Sequence, residues 1–272
     1  MGSALARALA AGGVRVVATV AGRSERTRRL AHGIELLPAI DDVVGEAAVV
    51  LGVVPPGEAR AAARALGAAA RRTGARPLVA DLNAISPETA RAIGEELQAG
   101  ELAFVDGSIS GPPPRSDGTT RIYLSGARAT EIAALQAPGV VWRVVGREIG
   151  SASAVKMSTA SVYKGTVALL VQALRAAHAN GVLEPVLDDL REAFPELAAN
   201  ASAITQRSAA KAHRYVGEMN EIAATQGAVG LTHELFEAFA TVYRQLATTQ
   251  LANAAPEDAD PARAVDEVLD AL

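Results

Sequence analysis

The chain of 272 residues contains no cysteine. That excludes a disulfide framework, a thiolate metal site and a cysteine nucleophile, and it makes a reducing cytoplasm the expected compartment. It also lacks a basic surplus. The 26 Lys and Arg stand against 30 Asp and Glu, a net charge of -4, which argues against a nucleic-acid surface or a basic membrane-binding face. No apolar run reaches the roughly 18 residues that a membrane-spanning helix needs, and the N-terminus lacks the charged, apolar and small-residue order of a signal peptide. The four histidines, His32, His178, His213 and His233, show no paired metal spacing and no Ser-His-Asp set can be assembled from them, so no metal is expected.

What is present falls into two patterns. Up to about residue 148 short β-branched runs alternate with helical segments, and beyond it the periodicity is helical only. The reading is an α/β, Rossmann-type parallel-sheet domain over 1–148 followed by an all-helical domain over 149–272. The opening is unusual. MGSALARALAAGG reads as a helix closed by Gly12-Gly13, and VRVVATV as a strand buried on both faces. In dinucleotide-binding folds a first strand precedes this helix and ends in G-x-G-x-x-G, of which only the last glycine, Gly2, can be present here. Because that strand is central, its lack would leave its neighbours with unpaired backbone groups. The expectation is that the chain starts inside the motif, and the alternative is a fold with no such strand.

The second strand ends in Ala21-Gly22-Arg23-Ser24. A free ribose diol is usually held here by an Asp or Glu, whereas a 2′-phosphate wants an arginine and small hydroxyl donors, so Arg23 and Ser24 point to NADP, with NAD as the second choice. The competing reading is a solvated helix start with Ser24 as N-cap. Ligands of such sheets lie beyond the carboxyl ends of strands, which places Val54-Pro55 and Asn83 on the cofactor side. In FVDGSISGPPPRSDGTTRIYLSG two strands flank a proline-rich loop. Pro112 to Pro114 have no N–H, so an anion there has only the N–H groups of Ser110 and Gly111 and nearby serine hydroxyls.

The run 151–180 contains no proline and predicts a helix of about 45 Å. It carries Lys156 where the two patterns meet, which makes this lysine the leading candidate for proton chemistry. Tyr163 lies nearest to it in azimuth, followed by Ala160 and Thr159, whereas Lys164 lies well round the barrel and reads as a surface lysine. Further helices are expected over 184–193, 195–206, 208–228, 232–250 and 261–272.

The order of MGSALARAL, VLGVVPPG, VADLNAISPETA, FVDGSISGPPP, IGSASAVKM and RYVGEMNEIA resembles the β-hydroxyacid dehydrogenase superfamily, over nearly the whole chain. It is most similar to a branch of 6-phosphogluconate dehydrogenase NAD-binding-like proteins with their own C-terminal helical domain. The resemblance implies that Gly2 ends the glycine motif, that Arg23-Ser24 select the cofactor, and that Val54-Pro55 form the loop over its nicotinamide-ribose side. It further implies that Ser110-Gly111 begin the substrate-carboxylate motif, that Lys156 is the catalytic lysine, and that the active species is a homodimer. Thr159 and Tyr163 are then the expected substrate-side neighbours of Lys156.

Departures narrow this. The family places an Asn four residues after its lysine and this chain has Ala160, Pro112 replaces the glycine after Ser-Gly, and a later cofactor lysine is replaced near Glu218. The basic groups a sugar phosphate needs cannot be assembled, which disfavours true 6-phosphogluconate dehydrogenase activity. The reading is an NADP-preferring oxidoreductase acting on a small hydroxy acid or its keto counterpart, with Lys156 as acid and base. The alternatives are an imine reductase and a non-catalytic dinucleotide-binding protein.

Overall fold

The computed structural model describes residues 1–115 and 118–272, in two compact units, Met1–Met157 and Ser158–Leu272. The first unit runs α1 (Gly2–Ala11), β1 (Val17–Ala18), α2 (Glu25–Leu30), β2 (Glu35–Leu36), α3 (Ile40–Glu46), β3 (Val49–Gly52), α4 (Ala59–Thr73), β4 (Leu78–Asp81), α5 (Pro87–Gln98), β5 (Phe104–Ser110), β6 (Thr120–Ser125), α6 (Ala129–Ala133) and β7 (Val140–Gly146). Local chemistry sets several boundaries. Ser24 and Ser86 accept from the N–H of Thr27 and Thr89 at the starts of α2 and α5, and Pro87 occupies the first turn of α5, where its missing N–H is harmless.

The strands form two sheets. β1 pairs with β2 in parallel, and the larger sheet has the order β3-β4-β5-β6-β7, so the break falls between β1 and β3. The larger sheet is parallel except between β5 and β6. Those two strands are joined directly by the proline-rich loop, which is too short for the crossover that a parallel pair requires.

β4 is buried along its whole length because both faces are covered. On one side Leu78, Ala80 and Leu82 pack with Leu5 and Leu9 of α1 and with Val105, Ile122, Leu124 and Ile132; on the other Val79 packs with Ala63 and Leu66 of α4 and Ile93 and Leu97 of α5. Alternate side chains of one strand thus serve two cores, which is why these strands read as continuous apolar runs.

A long helix, α7 (Ser151–Ala179), starts in the first unit, and the division after Met157 falls within it rather than at the 148/149 boundary read from the change of pattern. The second unit continues with α8 (Leu183–Ala193), α9 (Pro195–Ala199), α10 (Ala201–Ala209), α11 (Ala212–Gly227), α12 (Glu234–Leu246) and α13 (Val265–Asp270). Its core includes Leu170, Leu174, Leu183, Leu187 and Leu269. The helix expected over 195–206 is divided at Asn200, whose side chain bonds back to the Glu196 carbonyl at 2.8 Å and competes with the helical ladder. α11 begins later than expected, at Ala212, and α13 is limited to Val265–Asp270. α12 lies against α7 at Gly165, where an added Cβ would be 3.2 Å from the Phe239 ring, and the Tyr243 hydroxyl donates to the Lys164 carbonyl at 2.8 Å.

Candidate active site

The start of α7 is built on one carboxylate. Asp106, fully buried in β5, accepts from the backbone N–H of Gly150 (3.0 Å) and Ser153 (3.1 Å) and from the hydroxyls of Ser153 (2.6 Å) and Ser125 (2.9 Å). Ser125 in turn accepts from the Ala152 N–H at 3.1 Å, and Ser108 donates to the Ala152 carbonyl at 2.8 Å. The N–H groups of Ala152 and Ser153 are thus met by β6 and β5, that of Ser151 by the Glu148 carbonyl, and the carboxylate lies at the positive end of the helix. Burial pushes the Asp106 carboxyl up from its ordinary value, against the pull of the hydrogen bonds from Ser153, Ser125 and Gly150. Gly150, at φ +101°, is required by close packing as well as by its backbone, since a Cβ there would lie 2.9 Å from the Arg91 guanidinium and 3.1 Å from Pro87. Lys156 follows within the second turn of this anchored helix and is half-buried.

A second construction lies at the carboxyl ends of β3 and β4. The Asn83 side chain accepts the Val54 N–H at 2.7 Å and donates to Asp81 at 2.7 Å, while the Asn83 N–H donates to the same carboxylate at 2.9 Å. Both Asp81 and Asn83 are buried. The amide of Asn83 therefore sets the course of the Val54-Pro55 loop, and Pro55 opens a single 3-10 turn over Pro56–Glu58. Gly2, in the first turn of α1, has Val53 as its nearest neighbour, 3.6 Å from where a Cβ would stand. Gly2 beside Val53, and Val54 bonded to Asn83, thus bring the start of α1 to the ends of β3 and β4, where the first N–H groups of a helix have no acceptor within it, an arrangement suited to an anionic dinucleotide. Arg23 and Ser24 lie just past β1 and are exposed, with no Asp or Glu between Val17 and Ser24 to hold a ribose diol. These residues fit NAD(P), and Ser24 caps α2, as the helix-start reading of that serine expects.

Ser110 is the last residue of β5, in register with Arg121, and Gly111 follows at φ +123°. The proline segment is tied back by the Thr120 hydroxyl donating to the Pro112 carbonyl at 2.8 Å. Ser116 and Asp117 of this loop lie outside the described residues. Farther along α7, Thr159 is half-buried and Tyr163 is 70 % exposed.

Lys164 is not the surface lysine expected. Its side chain, 14 % exposed, forms an ion pair with the 5 % exposed Glu218, which also accepts from Arg214 Nε at 3.0 Å. The Lys164 ammonium lies 4.8 Å from the centroid of the Tyr215 ring, and that ring meets Tyr243 edge-on at 5.2 Å. Burial pushes the phenols of Tyr215 and Tyr243 up. Sequence reasoning missed Asp106, and although Lys164, Arg214, Tyr215 and Glu218 could be named as polar residues of the helical part, it did not pair them. The available signals were weak, an Asp among small residues in FVDGS, a serine three positions after Gly150, and a lone Glu on an amphipathic helix.

The sheet, its strand-end loops and the anchored lysine helix define a nicotinamide-dinucleotide-dependent oxidoreductase. Residues 1–138 match the NAD binding domain of 6-phosphogluconate dehydrogenase, and the chain belongs to that family, within the β-hydroxyacid dehydrogenase superfamily. Residues 177–246 match a domain of unknown function. The chain is 34 % identical, over 93 % of its length and 95 % of the other's, to a conserved protein of unknown function with structural similarity to 3-hydroxyacid dehydrogenases, at a TM-score of 0.64. An uncharacterised 28.5 kDa protein of Methanothermus fervidus is 29 % identical over 66 % of this chain and 68 % of that one. At 20 % identity the fold alone is shared with Mycobacterium tuberculosis 3-hydroxyisobutyrate dehydrogenase bearing L-serine (95 % and 94 % covered, TM-score 0.64). It is shared likewise with a Myxococcus stipitatus imine reductase bearing NADP+ (90 % of each, TM-score 0.56).

Proposed function

We propose that this protein is an NADP-preferring oxidoreductase that interconverts a small hydroxy acid and its keto counterpart, with Lys156 as the acid and base. The observation that carries the reading is the placement of Lys156 on a helix whose first turn is locked by Asp106 into the same sheet unit that holds Gly2, Val54 and Asn83 at its strand ends. When bound, the nicotinamide supplies the hydride acceptor or donor. Lys156 takes the hydroxyl proton in oxidation and returns it in reduction. A lysine with an ordinary pKa of about 10.4 serves as a base near neutral pH only if its surroundings disfavour the charge. Ser110 and Gly111 are the proposed seat of the substrate carboxylate, and Arg23 with Ser24 the readers of the 2′-phosphate.

A second reading, imine reduction, is favoured by Ala160, which stands where the family places an Asn and has no side-chain amide to hold a hydroxyl group. The test is turnover of a panel of hydroxy acids and cyclic imines with NADPH and NADH, together with fluorescence titration of both cofactors. Lys156→Ala is expected to abolish turnover while NADPH binding persists. Turnover that survives the substitution overturns the role of Lys156, and cofactor binding with no turnover of either class by the parent chain overturns the enzymatic reading.

A further inference from the structure

The face of the sheet on which α7 begins carries an arginine with no role so far. In the antiparallel register of β5 and β6, Asp106 stands opposite Ser125, Ser108 opposite Tyr123 and Ser110 opposite Arg121. Directly opposed residues share a face, with Cβ atoms about 4.5–5.5 Å apart. The Ser125 hydroxyl donates to Asp106 at 2.9 Å and the Ser108 hydroxyl to the Ala152 carbonyl at 2.8 Å. This is therefore the face that holds the first turn of α7, and Ser110 and Arg121 lie farther along it. The alternate residues Thr120, Ile122 and Leu124 are buried, the last two in the core on the other side. Ser110 and Arg121 stand at the carboxyl end of β5, and because β3, β4 and β5 are parallel this is the end at which Val54 and Asn83 stand. Arg121 is exposed, and among the described residues its guanidinium has no ion pair, whereas Arg15, Arg72 and Arg128 of the same unit each hold a carboxylate. Arg143 of β7, opposite Tyr123, adds a second positive charge to the face. The one carboxylate that β5, β6 and β7 contribute, Asp106, is buried and already accepts four hydrogen bonds.

We propose that Arg121 sets the substrate class: its guanidinium holds a second acid group, so that the substrate is a short hydroxy acid with a carboxylate or phosphate at its other end. The inference rests on the reading of Ser110 and Gly111 as the seat of the first carboxylate. That seat offers only a hydroxyl and N–H groups, and Pro112 to Pro114 add no donor to it. Such neutral donors suffice for one carboxylate. The guanidinium directly across the rung has no acid of its own chain to neutralise it, and its planar fork of donors fits a carboxylate or phosphate in two-point contact. With a monoacid bound this charge meets only water. With a second acid group it is matched, and a short carbon chain spans the distance between opposed residues of one rung. Selection follows, because a site built to pair a polar group loses that pairing with the analogue that lacks it.

Isothermal titration calorimetry of the full chain with matched acids tests the proposal, with NADPH present so that no alcohol is oxidised. Malate is compared with 3-hydroxybutyrate, in which a methyl group replaces the second carboxylate, and 3-phosphoglycerate with glycerate. The pair that shows a preference tells carboxylate from phosphate. The parent chain is expected to bind the member with the second acid group tighter by on the order of 10- to 100-fold. Arg121→Gln should remove that preference and leave the affinity for the monoacid unchanged, which also shows that the variant is folded. Arg121→Lys should keep part of the preference, since the charge remains and the fork does not. Equal binding of both members of each pair by the parent overturns the proposal and leaves the carboxylate seat standing. So does an equal loss of both members in Arg121→Gln, or a preference that survives Arg121→Gln and is lost in Arg143→Gln. No binding of any of the four acids overturns the seat and the proposal together. Binding is read without turnover, so a chain that holds the second acid group through Arg121 and oxidises none of these acids supports the proposal while counting against the hydride-transfer reading.

Discussion

Asp106 accepts four hydrogen bonds in a place water does not reach, and its consequences are those of a buried anion. Its folded-state pKa is raised above the unfolded value of about 3.9, so the folded chain holds its proton more tightly, and the stability contributed by this group falls as pH rises from about 4 through the raised value. Asp106→Asn replaces an acceptor of four donors with a group that cannot accept them all and should lose about 1–3 kcal/mol. The difference from the parent chain should narrow as pH rises through that window, because only the parent pays for ionisation. Urea melts of both proteins between pH 4 and 7 measure it, and a constant difference would mean that Asp106 titrates normally. Lys164 and Glu218 form the other buried charge site. Lys164→Met leaves Glu218 with Arg214 alone and should lower stability by about 3 kcal/mol, with Lys164→Met/Glu218→Leu recovering part of it, since two uncharged side chains need no partner. A single variant as stable as the parent would show that the pair is not buried in solution.

At the scale of elements, α1 ends where it does because of a neighbour. Gly12 has φ -82°, a value open to any residue, yet a Cβ there would lie 1.9 Å from the Gln136 carbonyl oxygen. Close approach of backbone, rather than backbone freedom, is what requires glycine, and Gly12→Ala should lower the unfolding free energy by about 3 kcal/mol, read as a clear fall in Tm. A Tm within a degree of the parent's would place the loop at Gln136 elsewhere. The end of α1 was visible in the sequence as a glycine pair, but its cause was not, because Gln136 is remote in the chain. The same holds for Asn83. Its position at a strand end was legible, whereas its bond to the Val54 N–H depends on the parallel register of β3 and β4, Gly52 opposite Asp81.

For the molecule as a whole, the division into a sheet unit and a helical unit follows from the periodicities, 2 and continuous apolar runs before residue 148 and 3.6 after it. Among the described residues no helix is long and apolar enough to cross a membrane, so α7, for all its length, is a packing element rather than a span.

The sequence by itself determined the alternation of strand and helix, the candidates Gly2, Arg23, Ser24, Val54, Pro55, Asn83, Ser110, Gly111 and Lys156, and the family to which the chain belongs, because these depend on residue type, spacing and order along one strand of chain. Tertiary structure alone decided that the sheet is divided between β1 and β3, that β5 and β6 run antiparallel, that Asp106 holds the helix of Lys156, and that Lys164 is buried against Glu218. Each of these is a pairing of groups tens of residues apart. Local preference cannot register such partners, since the energy of a buried charge or an unpaired strand edge is set by what the fold brings beside it.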